Sequence, residues 1–437
     1  PTRLPSVEIM AITSPFGGEA LSPAVDCYGP INKNRPSNKN VEHEMWNIIK
    51  ISGLLQDLPP ASFLLLNAVT FSFLTLITFM IIGVYTNSGD MENAFEAFSL
   101  ITFCMMAAIK LASFRRYSHH WRDLVQRVTA LEKEQLAENN DPMEYETDEE
   151  DHPSSKKNKF SPHIEKYTMS FKSVSSVLTV IYGFTATIFI ATPFIQYGFL
   201  AFNGHKLDYP HLMPIWFPID NLSVYEHCVI VVLLEIIPSI FCVMTHIAFD
   251  MTFIGMVTFI CGQFSLLKDY SASIGGSGGY TISQDRERRA HSRIIKCKEI
   301  HIMICNLNNL TQNILGVYFV IAVMTVCSIA VRLSLEELGV METLSLIQYM
   351  NGVLIQLFLF CFYGDKIFHE SSVGPGEGPF AAALWGLSPR TRKELHLLSI
   401  GMVKGHSLRA GPFSTLNLPS FVLIIRSAYS YYAILNK

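Results

Sequence analysis

The stretch EHCVIVVLLEIIPSIFCVMTHIAFDMTFIGMVTFICGQFSLL, residues 226–267, runs for 42 residues with Pro238 as its single proline. An α-helix rises about 1.5 Å per residue and the hydrocarbon core of a bilayer is about 30 Å thick, so one helix of this length would measure about 60 Å. Half of it is enough to cross a membrane. The other half must continue beyond the bilayer and bury its apolar side chains on other parts of the protein.

The whole chain has the composition of a polytopic membrane protein. Of its 437 residues 49% are apolar and only 16% are charged, and its mean hydropathy is +0.29. The net charge of −4 provides no basic field, so no nucleic-acid partner is predicted. The nine cysteines form no CxxC pair and lie mostly in apolar runs, which indicates packing rather than zinc binding or a disulfide framework.

Six stretches are long and apolar enough to cross a bilayer, which takes about 20 residues. They are residues 61–84, 94–114, 174–200, 227–264, 314–331 and 344–363. A seventh stretch, 418–435, is long enough, but Arg426, four hydroxyl residues within 427–431 and the following Asn436 make it a poor lipid-facing helix. We predict that it spans the membrane while neighbouring helices shield it from lipid.

The charges of the connecting loops predict the orientation. Lys and Arg number five in residues 1–60, nine in 115–168, seven in 265–313 and six in 364–411, against none in 85–93 and one each in 201–226 and 332–343. Because cytoplasmic loops carry the excess of positive charge, the N-terminus and the long loops are predicted to be cytoplasmic. G-protein-coupled receptors have the opposite orientation.

These patterns predict an all-α membrane protein with seven transmembrane helices, a cytoplasmic N-terminus and a cytoplasmic helical anchor bundle. Apolar spacing predicts anchor helices at 290–313 and 381–403, the latter kinked at Pro389, whereas the helix at 41–58 either packs on them or lies at the inner membrane surface. The predicted divisions are 1–60, a cytoplasmic arm and helix; 61–264, spans one to four with the long acidic cytoplasmic loop 115–168; 265–313, a cytoplasmic loop and anchor helix; 314–363, spans five and six; 364–411, a cytoplasmic anchor helix; and 412–437, span seven.

Ionisable residues inside the spans are functional candidates, because a charge in the bilayer is costly. Glu96 and Lys110 lie near opposite ends of their span, so we expect them to reach the membrane surfaces. Asp250 lies about 24 residues after the start of the long apolar run, at or below the inner surface, and needs no membrane explanation. Glu235 either borders a hydrated cavity or pairs with a hydroxyl group, and Arg426 either faces an inner vestibule or pairs with a neighbouring helix.

The chain carries none of the catalytic motifs GxSxG, HExxH or Walker A, and no cofactor is predicted, so it is interpreted as a receptor, channel or transporter rather than an enzyme. Aromatic and small polar residues cluster in the outer halves of spans two, three and six. Ordinary packing explains many of them singly, but together they predict an apolar pocket for a small volatile, lipophilic molecule. The predicted ligand-binding residues are Phe95, Phe98, Phe184, Phe189, Thr192, Tyr349 and Met350.

The last 80 residues resemble the insect odorant receptor family, in its ligand-selective tuning branch. The resemblance is carried by FCFYGDKI with Gly364-Asp365, then Ser371-Ser372, Trp385, Ala410-Gly411 and the closing SAYSYYAILNK. Gustatory receptors would end with Thr-Tyr, five apolar residues and Gln-Phe. Ser430-Tyr431 and Lys437 stand at those Thr-Tyr and Gln positions, which favours the odorant branch.

This resemblance implies a ligand-gated, nonselective cation channel in the plasma membrane of an olfactory neuron dendrite, in contact with membrane lipid. Family members form tetramers, and tuning receptors join a shared co-receptor, so a heterotetramer is expected. The last span would line the pore, with Ile434 as the gate and Ser430, Tyr431, Asn436 and Lys437 as further pore residues. The alternatives are a gustatory-type receptor channel and a transporter of lipophilic solutes.

Overall fold

The structure is a computed structural model that describes residues 60–86, 91–137, 161–202, 211–213, 224–275, 282, 284–335, 340–372, 374–410 and 414–435. The described helices, in chain order, are α1 (Pro60–Thr86), α2 (Met91–Arg116), α3 (Ser118–Ala137), α4 (Ser161–Phe202), α5 (Val224–Val231), α6 (Ile237–Ala272), α7 (Gln284–Leu335), α8 (Val340–Ser372), α9 (Gly374–Ala381), α10 (Pro389–Met402) and α11 (Leu418–Leu435). The predicted helix at 41–58 lies outside the described residues.

The predicted all-α membrane class is confirmed. Five described helices are long and apolar enough to cross a membrane, at Phe63–Thr86, Ala97–Arg116, Pro162–Phe199, Glu226–Ala272 and Leu346–Ala381. Two shorter apolar helices, Phe319–Leu333 and Leu418–Ser430, coincide with the predicted fifth and seventh spans. Large apolar side chains such as Phe71 and Phe199 are exposed on the outer surface, as lipid contact requires. The count of seven spans and the orientation stay predictions.

The long apolar stretch forms one rod from Val224 to Ala272, in which α5 and α6 are joined by a π-helical turn, Val232–Ile236. In this turn the Ile237 amide donates to the Val232 carbonyl, five residues back. Pro238 follows directly. Because a proline ring has no amide hydrogen and clashes with the carbonyl four residues back, the wider turn lets the helix continue past it.

The second half of α6 is the centre of the hydrophobic core. Every residue from Ala248 to Cys261 is buried. The described residues packed around it come from α3 (Trp121, Val125, Val128), α4 (Ile164, Phe171), α7 (Ile294, Cys297, Ile300, Ile304), α8 (Phe360, Ile367) and α10 (Leu395, Met402). A helix that is apolar on all sides has to be surrounded in this way. The cytoplasmic location of this bundle stays a prediction.

The predicted single helix at 381–403 with a kink at Pro389 is wrong. A 3-10 turn, Leu384–Gly386, ends the preceding segment, and α10 begins at Pro389 with Ser388 as its N-cap. Proline fits the first turn of a helix, where its missing amide has no intrahelical partner. Glu287 of α7 accepts hydrogen bonds from Thr391 and from the Ser388 amide and hydroxyl, the last at 2.9 Å. It therefore fixes the start of α10.

A short antiparallel ladder leads into the last helix. Arg409–Ala410 (β1) pairs with Ser414–Thr415 (β2), with Ala410 opposite Ser414. The following segment passes close to α8, because a Cβ added at Gly364 would collide with the Leu416 carbonyl oxygen. Gly364 therefore permits the contact between α8 and the entry to α11.

Candidate ligand-binding site

A cavity of about 430 Å³ lies between α2, α4, α6 and α8. Its wall is mainly apolar, with Leu100, Phe103, Ile181, Phe189 and Leu346 among the lining side chains. Polar groups are added by hydroxyls and amides of the same helices and by the buried Arg332 of α7. A volume of this size and an apolar wall with a few polar groups are typical of small-molecule sites.

Three of the predicted ligand-binding residues line the cavity: Phe189, Thr192 and Tyr349. Phe98 and Phe184 do not; they are 41% and 58% exposed on the outer surface. Met350 also lies outside the lining set, and the side chain of Phe95 is outside the described ones.

Helix periodicity explains this division. The lining residues of α4 recur at three- and four-residue steps, from Ile181 through Thr185, Ile188 and Thr192 to Gln196. The neighbours of Phe184, Phe98 and Met350 line the cavity instead, namely Thr185, Ser99 and Tyr349. One residue is a turn of about 100° on a helix, so an aromatic-rich segment identifies the right helices without identifying their inner faces.

The wall between α2, α6 and α8 is a stack of rings. Phe103 packs edge to face on Tyr349, with ring centroids 5.7 Å apart, and lies flat on His246 at 4.3 Å. The Tyr349 hydroxyl donates to the Ser99 carbonyl oxygen at 3.3 Å. These contacts fix the orientation of both aromatic rings toward the cavity.

One end of the cavity, here called the floor, is a buried polar cluster centred on Asp250. Lys110 Nζ contacts Asp250 Oδ1 at 2.6 Å, and both side chains are 1% exposed. Asp250 Oδ2 accepts hydrogen bonds from the Tyr182 hydroxyl at 2.6 Å and the Gln356 amide at 2.5 Å. Tyr182 and Gln356 also line the cavity, so the floor cluster is in direct reach of a ligand.

The floor cluster corrects two predictions. Lys110 does not reach a membrane surface: it is buried against Asp250, contacts His246 Nδ1 at 3.0 Å and lies 5.3 Å from the Phe249 ring centroid. Asp250 does need an explanation, because it is the buried partner of this cation. An isolated charge in such an environment is costly, whereas a paired and hydrogen-bonded one is tolerated. The signal in the sequence was the presence of a cation, Lys110, in span two and of a carboxylate, Asp250, in span four.

Glu235 anchors a further part of the cavity wall, residues 211–213. Its side chain is fully buried, with Oε1 2.7 Å from His211 Nδ1 and Oε2 accepting the Leu212 amide at 2.6 Å. Among the residues that the structure describes, Glu235 therefore pairs with a histidine and a backbone amide rather than with the predicted hydroxyl. It fixes residues 211–213, which line the cavity, against the start of the long rod.

Three of the predicted pore residues, Ser430, Tyr431 and Ile434, belong to the last two turns of α11. Ile424 and Ala428 are buried, whereas Leu423, Arg426 and Ser430 are exposed in the single chain. Ser430 Oγ donates to the Arg426 carbonyl oxygen at 2.8 Å. Ile434 and Tyr431 belong to α11, but their side chains lie outside the described ones, as do Asn436 and Lys437 entirely. The side chain of Glu96 is likewise outside them.

Comparison with known sequences gives one consistent answer. A family model described as 7tm Odorant receptor matches residues 90–429. Odorant receptor 82a of Drosophila melanogaster is 23% identical over 369 residues, which cover 80% of this chain and 86% of that protein. Odorant receptor 13a of the same species is 23% identical over 299 residues, covering 65% and 70%.

Comparison with solved structures agrees. The insect olfactory receptor OR5 from Machilis hrabei, in complex with eugenol, superposes with a TM-score of 0.70 at 16% identity, covering 90% of this chain and 97% of that one. The structure of OR5 published without a named ligand gives a TM-score of 0.69. At these identities the likeness shows a shared fold.

Proposed function

The chain belongs to the insect odorant receptor family, a family of receptors and ion channels rather than enzymes, and from this premise we propose that it is a subunit of a ligand-gated, nonselective cation channel. The observation that carries the proposal is the contact between the cavity wall and the last helix. Val353, which lines the cavity, belongs to one buried cluster with Val326 and with Ala428 of α11, and the cavity residue Tyr349 packs against this cluster. A ligand in the cavity therefore acts on a cluster that includes the proposed pore helix.

The ligand is a small lipophilic odorant that carries an oxygen. The apolar wall supplies most of the binding free energy by desolvation, at about 25 cal/mol per Å² of apolar surface removed from water. Arg332 and Gln348 are hydrogen-bond donors on the wall, which suits a carbonyl, ester or hydroxyl oxygen. The relative OR5 was solved with eugenol, a molecule of this class.

The pore is formed by α11 from several subunits around an axis. Ile424 and Ala428 hold α11 on α7 and α8, while the exposed Leu423, Arg426, Ser427 and Ser430 are left for other subunits and for water. Ile434 is the gate, with Tyr431, Asn436 and Lys437 beside it. The partner is the shared co-receptor of the family, and the channel acts in the plasma membrane of the sensory dendrite.

Opening requires that the ligand bind the open arrangement more tightly than the closed one. The floor and the Tyr349 wall are the two places where such a difference can arise, because both connect the cavity to other helices. Movement of Tyr349 or Val353 changes the surface on which Ala428 packs. Ligand affinity alone would leave the channel closed.

The test is to record odorant-evoked currents in cells that express this chain with and without the co-receptor. Once an active odorant is found, Phe189→Ala should raise its half-maximal concentration by about tenfold or more, since it removes about 2 kcal/mol of contact. Phe184→Ala, which truncates an exposed phenylalanine of the same helix, is the matched control and should leave the response unchanged. Equal effects of both substitutions would overturn the cavity assignment, and accumulation of the odorant without any current would favour a transporter.

A further inference from the structure

Two histidines and a cysteine meet away from the cavity, at the side of the core bundle. His301 and Cys305 lie one turn apart on α7, and His406 belongs to the segment between α10 and β1. Cys305 Sγ is 3.7 Å from His301 Nε2 and 3.2 Å from His406 Nε2. One donor atom from each residue lies within 4.8 Å of the other two.

These distances fit the ligand shell of a small divalent cation. Zinc binds thiolate sulfur at about 2.3 Å and imidazole nitrogen at about 2.0–2.1 Å, so sulfur and nitrogen on a tetrahedral ion are about 3.6 Å apart. The two observed sulfur-to-nitrogen distances lie on either side of that value. Two imidazoles with one thiolate form a donor set for zinc, and three protein ligands leave a fourth position for water.

The three side chains are held in place before any ion arrives. His301 and Cys305 are at positions i and i+4, which share one face of a helix. The His406 amide donates to Ser371 Oγ at 2.8 Å, and the His406 ring stacks on Phe264 with an interplanar angle of 17°. Little conformational freedom remains to be lost on binding.

The three side chains are also accessible to an ion. All three residues are only partly buried, so an ion has access from solvent.

We propose that His301, Cys305 and His406 form a binding site for a borderline-soft divalent cation, with Zn²⁺ as the best fit. On binding, the Cys305 thiol releases its proton to solvent, and two imidazoles and one thiolate replace the hydration waters of the ion except for one, which stays at the fourth position. No oxidation occurs. The site connects α7 to the segment that continues through Leu408 and β1 toward α11. The Leu408 carbonyl accepts a hydrogen bond from the Leu416 amide at 2.9 Å, so this segment is tied to the residues that lead into α11.

The test is spectroscopic and independent of channel activity. Purified full-length protein in detergent, reduced and freed of metal, is titrated with Co²⁺, which reports thiolate ligation by a near-ultraviolet charge-transfer band and tetrahedral geometry by visible bands. One equivalent of Co²⁺ per chain should bind with both sets of bands, and Zn²⁺ should abolish them by displacement. Cys305→Ser should remove the charge-transfer band, and His406→Asn should weaken binding by about tenfold or more.

Two variants serve as matched controls. Cys327→Ser changes another partly buried cysteine of α7, and His291→Asn changes an exposed histidine of α7 that contacts Glu394. Both should bind Co²⁺ as the unchanged protein does. Retention of the charge-transfer band in a well-folded Cys305→Ser protein, confirmed by its elution volume and by the Cys305→Ala variant, would overturn the proposal. So would equal loss of binding in the controls.

Discussion

At the level of residues, the buried ion pair of Lys110 and Asp250 makes a specific prediction about stability. Two buried charges are tolerated because each has a partner, and Asp250 has two further donors. Replacing Lys110 by Met leaves a buried carboxylate without its cation. The expected loss of stability is about 3–5 kcal/mol.

This prediction is checked by the unfolding temperature of the detergent-solubilised protein. Lys110→Met should lower it clearly, and Lys110→Met combined with Asp250→Asn should recover most of the loss because no buried charge remains. Arg127→Ala is the control: its partner Asp123 is exposed, and such surface pairs contribute about 0–1 kcal/mol. An unchanged unfolding temperature for Lys110→Met would contradict the buried pair.

The same pair shows where sequence reasoning fails at the level of residues. The charges of Lys110 and Asp250 are visible in the sequence, but their burial depends on which faces of α2 and α6 meet, and each helix is apolar around most of its circumference. The spacing of apolar residues therefore does not show which face of either helix is buried. For the same reason, the sequence does not distinguish Phe189, Thr192 and Tyr349, which line the cavity, from Phe98 and Phe184, which face outward.

At the level of elements, the start of α10 depends on Glu287. Burial alone would raise the pKa of Glu287. Hydrogen bonds from Thr391 and Ser388 outweigh this effect and hold the pKa below its usual value of 4.5. A carboxyl group with a lowered folded-state pKa adds stability above its unfolded pKa and loses it as the pH falls through the folded value.

We therefore expect Glu287→Gln to lower the unfolding temperature at pH 7. The difference from the unchanged protein should narrow as the pH falls below 4.5. Asp285→Asn, which changes an exposed carboxylate of the same helical turn, should show little effect at either pH. A difference that stays constant with pH would mean that Glu287 acts through its shape and not through its charge.

The contact between α8 and the entry to α11 makes a second prediction for elements. Gly364→Ala places a methyl group against the Leu416 carbonyl oxygen, so we expect a loss of about 1–3 kcal/mol and reduced surface expression. Gly352→Ala is the control on the same helix, because no atom lies within 4 Å of its added Cβ. It should be neutral or raise stability, since alanine favours a helix by about 1 kcal/mol over glycine. Equal stability of the two variants would contradict the close approach.

Elements were the level at which sequence reasoning worked best. The 42-residue stretch and the spacing in 290–313 predicted helices longer than a membrane span needs, and α6 and α7 have that length. Their continuation beyond the membrane stays a prediction. Boundaries set by local chemistry were harder. The sequence predicted a kink at Pro389, but proline starts a helix as readily as it bends one. The helix starts here because Ser388 is hydrogen-bonded to Glu287, which lies about 100 residues away in the chain.

At the level of the whole molecule, the all-α membrane fold followed from hydropathy alone, whereas the family membership required the C-terminal pattern of residues. A single chain does not contain the proposed pore, because the proposal places the pore between α11 helices of several subunits. In the single chain, one side of α11 that carries polar residues is exposed rather than packed on other helices.

The gate is tested at this level. Ile434→Ala makes the proposed constriction wider and less apolar, so we expect a larger current without odorant in cells that also express the co-receptor. Leu423→Ala, an exposed change about three turns earlier in α11, is the control and should keep the basal current low. Unchanged basal and evoked currents for Ile434→Ala would remove this residue from the gate.

Tyr182 and Gln356 both line the cavity and both donate a hydrogen bond to Asp250. This double role has a consequence for how such receptors diversify. If the cavity binds the odorant as proposed, a substitution at either residue would alter odorant selectivity and folding at once, so most changes there would be lost before selection acts on the odorant. Phe189, Thr192 and Leu346 touch the ligand space without binding the floor carboxylate. New odorant preferences should therefore evolve along the wall of the cavity, while its floor is inherited with little change.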